Sequence, residues 1–241
     1  MPPDKNSPDA MVFFDIDGTL IRRIGLSHRQ ALIEAVRRVT GLETSVDGIP
    51  LHGMLDPEIL VAMMINAGAS RNLASRAIPE IQRHAQSYFV RQCPNLERKV
   101  CPGVRRLLDR LRSAGVPMGL VTGNFSRIGW KKVELAGLKG HFRLAACAEM
   151  GKDRAALLRL AIRQARARGW IRKGTHISLI GDTPRDIQAA QANGVLAVAV
   201  ATGLCSMEEL AVASPDVLVE DLRALRPGVL MEPSGVRHEP D

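Results

Sequence analysis

The stretch 11-MVFFDIDGTLI-21 begins as an unbroken apolar run and ends by setting two carboxylates, Asp15 and Asp17, ahead of a glycine and a threonine. The run reads as a strand, and a strand apolar along its whole length belongs inside a sheet covered by helices. Residues i and i+2 of a strand share a side, so both acids project from its carboxyl end or from the loop just beyond. Two adjacent carboxylates repel and are costly to desolvate unless a cation or a proton is shared between them. The stretch therefore calls for partners elsewhere in the chain.

From about residue 101 a helical pattern alternates with short apolar runs. PGVRRLLDRLRSAG reads as a helix with proline at its first position and a stop at Gly115. VPMGLVTGN, FRLAACA, HISLIGD, VLAVAVATG and DVLVE read as strands, with helices between them in SRIGWKKVELAGL, DRAALLRLAIRQARARG, PRDIQAAQANG and SMEELAVA. Alternation of this kind predicts an α/β fold, a doubly wound, Rossmann-like parallel sheet with helices on both faces.

Between residue 21 and residue 101 lie far more residues than one crossover needs. The interval reads as helical: SHRQALIEAVRRVTG with a Ser27 cap and a Gly41 stop, DPEILVAMMINAG from a cap-like Asp56, and a long helix to Cys93. The expected organisation is a catalytic core of residues 1–21 and 101–228, a helical cap of 22–100 inserted after the first strand, and a frayed tail of 229–241.

Composition narrows the function. With 46% hydrophobic residues the 241-residue chain can bury a sizeable core, and no run reaches the roughly 18 apolar residues of a membrane span. The polar start MPPDKNSPDA is unlike a signal peptide, so the expected location is cytoplasmic and no membrane partner is expected. Four scattered cysteines without a C-x-x-C pair argue against a zinc site or a disulfide framework. A net charge of +8 would draw anions, but the basic residues fall on helix faces and only 3% of residues are aromatic, which argues against a nucleic-acid partner. Monomer and homodimer both remain open.

Further polar residues fall at the ends of the other strands: Thr122, Gly123 and Asn124 after GLV, and Asp182 and Asp186 after SLIG, while Lys152 and Arg154 precede a helix in 151-GKDR-154. Singly, each has an ordinary structural explanation as a turn, a helix cap or a surface charge. Together they suit phosphoryl transfer. Oxygens of Asp15 and Asp182 match Mg²⁺, one carboxylate could attack phosphorus, and the acid two residues on could protonate the departing alkoxide. Thr122 with nearby backbone amides would hold phosphate oxygens while a lysine offsets their charge, and glycines at 18, 123 and 181 let the backbone approach.

These residues resemble the motifs of the haloacid dehalogenase superfamily: 15-DIDGT-19 matches the first, LVTGN ending at Thr122 the second, and 181-GDTPRD-186 the fourth. The likeness spans Val12 to about Leu225, places the cap where the family's four-helix type sits, and points to the phosphoglycolate phosphatase-like branch. It implies that Asp15 is the nucleophile that forms an aspartyl-phosphate. Asp17 is then the acid/base and a metal ligand through its backbone carbonyl, Thr122 with Gly123 and Asn124 holds phosphate, Asp182 is a metal ligand, and Asp186 supports the metal. The third motif departs from the family pattern, lacking the prolines of K-P-x-P; Lys152 is assigned its cationic role, with Arg154 the competitor. The sequence 53-GMLD-56 is similar to the Gly-x-x-Asp that opens a cap helix, and Arg22, Arg23, His28, His52 and Arg91 could meet an anionic substrate.

The expected activity is a Mg²⁺-dependent phosphatase of a small phosphorylated metabolite, such as a phosphoglycolate-like ester, a sugar phosphate or a nucleotide. Asp17 argues against a dehalogenase, and the absence of lysine from Ile24 to Leu96 argues against a Schiff-base phosphonate hydrolase. A phosphosugar mutase and a catalytically idle binding protein are the alternatives.

Overall fold

A computed structural model describes residues 9–22 and 26–231. Arg23 and residues 232–241 of the expected tail lie outside the described residues. The first strand, β1 (Ala10–Phe14), is buried along its whole length. Its alternating side chains feed two cores: Met11 and Phe13 join one cluster, and Val12 and Phe14 the other. Burial on both faces is why the segment lacks any polar alternation.

Three helices follow, α1 (Leu26–Thr40), α2 (Asp56–Asn66) and α3 (Arg71–Gln92). Their apolar residues Leu32, Leu60, Met63 and Phe89 belong to the same cluster as Phe13. Ser27 was expected to cap α1, but the helix already includes Leu26 and Ser27 lies in its first turn. At α2 the N-cap position is Leu55 and Asp56 is the first helical residue, which frees its carboxylate for other partners.

The remainder alternates as α4 (Val104–Ser113), β2 (Met118–Val121), α5 (Ser126–Leu135), β3 (Leu144–Ala146), α6 (Arg154–Ala167), β4 (His176–Gly181), α7 (Pro184–Ala192), β5 (Leu196–Val200), α8 (Met207–Val212) and β6 (Val217–Val219). Helix α4 starts two residues after the expected proline because Gly103 adopts a left-handed conformation at its N-cap. Past β6 the side chain of Leu230 is still buried in the second core, so packing continues into the stretch expected to fray.

All six strands are parallel, in the order β3-β2-β1-β4-β5-β6. The chain winds outward from β1 in one direction and from β4 in the other, so the topological switch lies between these two neighbours. Loops diverge there at the carboxyl edge and leave a crevice. No helix among the described residues is long and apolar enough to cross a membrane.

Candidate active site

Asp15 leaves the end of β1 and is tied to its neighbour strand by its own N–H, which donates to the Ile180 carbonyl at 2.9 Å. Thr122 follows β2 and Asp182 follows β4, so three adjacent strand ends converge on one place. Asp15, Thr122, Asp182 and Asp186 are all buried. A crevice over them is lined by Asp15, Asp17, Gly123, Asn124, Lys132, Arg154 and Asp182 from the sheet side, by His28, Arg29 and Leu32 from α1, and by His52 and Met54 from the segment between α1 and α2.

One oxygen from each of Asp15, Asp182 and Asp186 can be chosen so that all lie within 4.8 Å of one another. Asp182 is fixed by Thr19, whose hydroxyl donates to Oδ1 at 3.1 Å. It is also wedged between backbones, because a Cβ at Gly18 or at Gly203 would overlap its carboxylate. Asp186 spends Oδ2 on the start of α7, accepting from the Thr183 hydroxyl at 2.6 Å and the Thr183 N–H at 3.1 Å. Its Oδ1 is left aimed at the cluster without a hydrogen bond.

The cation in this cluster is Arg154. Its Nη1 donates to Asp15 Oδ1 at 2.9 Å and lies 2.9 Å from Asp186 Oδ1, a contact of charge rather than an aligned hydrogen bond. Lys152, expected in this role, is exposed, whereas its competitor Arg154 is buried. The reason is local. Asp153 caps α6 by accepting the Ala156 N–H at 2.7 Å, which leaves Lys152 ahead of the helix and turns the first helical residue, Arg154, inward.

Burial raises the Asp15 carboxyl to about 6; Arg154 opposes the rise, while Asp186 and Asp17 add to it. Burial likewise raises Asp182 well above the usual carboxylate range, with Asp15 and Asp186 reinforcing it. Burial works against the Arg154 charge, but Asp186 and Asp15 outweigh it and push the guanidinium upward. Three buried carboxylates against one guanidinium leave an uncompensated negative charge. A hard divalent cation fits such a set, since its oxygens are the right donors and its charge removes the imbalance.

Asp17 stands apart from this cluster. Its carboxylate receives Lys132 Nζ at 2.7 and 2.6 Å and Asn124 Nδ2 at 2.8 Å. Burial pushes the Asp17 carboxyl up, but the charge of Lys132 and the hydrogen bonds from Lys132 and Asn124 reverse this and hold it below its ordinary value. Asn124 also donates to the Thr122 hydroxyl at 2.6 Å.

The inserted helices close directly on these loops. The Asp56 N–H donates to the Gly123 carbonyl at 2.8 Å, and the Asp56 carboxylate accepts the Phe125 N–H at 2.8 Å. A Cβ on Gly123 would lie 2.5 Å from the Met54 carbonyl, so only glycine admits the 53–56 segment this closely. Glu58 pairs with Arg185 at 2.7 Å across the same seam. Of the other suggested cap residues, His28 and His52 line the crevice. Arg22 is exposed, and Arg91 lies on a separate groove with Arg37, Arg38 and His84.

Sequence reasoning missed Lys132 and Arg29. For Lys132 a signal existed: it shares the helical phase of Ile128, Gly129 and Val133, so it is a lysine on the apolar face of α5.

Clustered carboxylates at the switch point of a doubly wound parallel sheet define an α/β enzyme. A family model described as haloacid dehalogenase-like hydrolase matches residues 10–194, and the chain belongs to that family. It is a hydrolase of phosphatase type. The chain is 28% identical over 231 residues to a phosphoglycolate phosphatase of Pseudomonas syringae pv. syringae, covering 91% of this chain and 79% of that protein. To a phosphoglycolate phosphatase of Synechococcus elongatus it is 27% identical over 212 residues, covering 87% and 92%. Among solved structures, β-phosphoglucomutase from Clostridium difficile superposes with a TM-score of 0.67 at 17% identity, over 90% of this chain and 93% of that one. CbbY from Rhodobacter sphaeroides, solved with phosphate, gives 0.67 at 18% identity, over 89% and 95%. At such identities these structures establish the shared fold and nothing finer.

Proposed function

We propose that the protein is a Mg²⁺-dependent, cytoplasmic phosphatase of small phosphate monoesters of the phosphoglycolate or sugar-phosphate kind, and that residues 22–100 act as its cap. The observation that carries the reading is that Asp15, at the carboxyl end of β1, shares one cluster with Asp182 and Asp186 and is held at 2.9 Å by Arg154, whose Nη1 also lies 2.9 Å from Asp186. The phosphatase relatives support the reaction type.

Asp15, Asp182 and the backbone carbonyl of Asp17 would hold the Mg²⁺, which supplies charge neutralisation between carboxylates and phosphate. Thr122, Gly123 and Asn124, with Arg154, bind the phosphate oxygens. Asp15 then attacks phosphorus, the bond to the ester oxygen breaks, and the proton on Asp17 passes to the leaving alkoxide. As an isolated site Asp17 is ionised by Lys132; an arriving phosphate dianion disfavours that charge and raises its proton affinity. In the second half, ionised Asp17 takes a proton from water as the water attacks phosphorus, releasing phosphate and restoring Asp15.

The test is phosphate release from a panel of phosphoglycolate, sugar phosphates and nucleotides, with Mg²⁺ and with chelator, for the native protein and Asp15→Asn. Mg²⁺-dependent release lost in Asp15→Asn is expected. Turnover that survives the substitution sinks the mechanism, and isomerisation of a sugar phosphate outpacing release would make the protein a mutase.

A further inference from the structure

We infer that Lys132 is a positioning residue for Asp17, and that His28 makes this positioning depend on the docked cap. The inference rests on the phosphatase reading and deepens it. Lys132 is wholly buried on α5, where an ammonium survives only if its N–H groups are matched. They are matched by Asp17 at 2.6 to 2.7 Å, by Asn124 Oδ1 at 2.6 Å and by His28 Nδ1 at 3.2 Å. Among the described residues, the Asp17 side chain takes its hydrogen bonds from Lys132 and Asn124 alone. These two groups therefore set where the carboxylate points.

The third partner leads into the cap. His28 belongs to α1 and its Nε2 lies 3.2 Å from the Asp56 carboxylate, so Nε2 carries the proton and Nδ1 accepts from Lys132. Asp56 opens α2 and also accepts the N–H of Phe125, the N-cap residue of α5, which itself carries Lys132. The ring of His28 rests edge-on against Phe89 of α3, with centroids 5.8 Å apart. Each of the three inserted helices thus touches the support of one acid. Lys132 can reach its His28 partner only while α1 is seated on α5, so Asp17 is fully braced only under a closed cap.

A brace for the acid has a signature that a purely structural lysine lacks. An alkyl phosphate needs its leaving oxygen protonated, whereas p-nitrophenolate departs without a proton. The ratio kcat/KM reports steps only through that departure. In Lys132→Met, kcat/KM for alkyl esters should fall about 100-fold, in line with the loss of general-acid catalysis, while that for p-nitrophenyl phosphate stays within about 3-fold. Asp17→Asn should show the same selectivity. His28→Phe keeps an aromatic ring against Phe89 but withdraws the acceptor from Lys132, and should show a milder selective loss of about 10-fold.

Equal losses on both esters in Lys132→Met, or none, would overturn the positioning role. Unchanged kinetics in His28→Phe would overturn the link to the cap. If Lys132→Met does not fold, Lys132→Gln takes its place in the comparison. Should the native protein cleave neither ester, the phosphatase reading fails, and the brace is then judged by the crystal structure of the Lys132 variant. An Asp17 carboxylate turned away from Asn124 upholds it, and an unmoved one overturns it.

Discussion

Adding Mg²⁺ to the metal-free protein should stabilise it strongly at neutral pH and hardly at all in mild acid. The folded Asp15 carboxyl is raised from 3.8 to about 6. That gap of roughly 2 units corresponds to about 3 kcal/mol between its two protonation states. With the folded value above the unfolded one, the folded protein binds more protons between about pH 4 and pH 6, and stability falls as the pH climbs through that window. Asp182 is shifted in the same direction and adds to the loss. At neutral pH the fold thus carries an ionised Asp15 crowded by neighbouring carboxyl groups, a charge that a divalent cation relieves. A ligand at about 100 times its Kd, bound only by the folded state, contributes about 2.7 kcal/mol. For a chain of this size that is a rise in Tm of roughly 5 to 10 °C. In the acid window protons compete for the same oxygens, and the rise should shrink to about 2 °C or less. The assay is thermal unfolding followed by circular dichroism, with Mg²⁺ or with chelator, at about pH 7.5 and about pH 5. Asp182→Asn should melt higher than the native protein without metal at neutral pH, since it removes one crowded charge, and should lose the Mg²⁺ response. An equal Mg²⁺ shift at both pH values, or a full shift retained by Asp182→Asn, would refute the reasoning.

Other substitutions separate the roles of neighbouring residues. Arg154→Ala should lower kcat/KM by at least about 100-fold, because it strips the buried carboxylates of the guanidinium that contacts them, while Lys152→Ala should leave steady-state rates within about 2-fold. Comparable losses in both would return the third-motif role to the lysine. Gly203→Ala places a methyl group on the Asp182 carboxylate, so the Mg²⁺-induced rise in Tm should vanish along with phosphate release. A normal metal response in that variant would show that Asp182 is not held where the backbone places it. Asp15→Asn, nearly isosteric, should keep the native fold, melt no lower than the native protein without metal at neutral pH because it also removes a crowded charge, and lose turnover, measured as phosphate released per enzyme.

Much of this was legible in the chain because the signals are local. An apolar run without polar alternation can be satisfied only inside a two-faced sheet, and six such runs separated by helical patterns specify the parallel, doubly wound order. Asp15, Thr122 and Asp182 each follow their strand directly, and a parallel sheet brings carboxyl ends to one edge whatever the loops do. Choosing between Lys152 and Arg154 was a different matter. They are two residues apart, and only the Asp153 cap of α6 decides which one turns inward. Lys132 and His28 lay further out of reach. They are 104 positions apart and meet at Asp17 because the inserted helices pack on α5, a contact that no spacing along the chain encodes. Strand-end chemistry follows from backbone periodicity, which a sequence displays. The bracing of the acid, and the guanidinium beside the nucleophile, depend on which side chains share a buried space, and only the tertiary fold determines that.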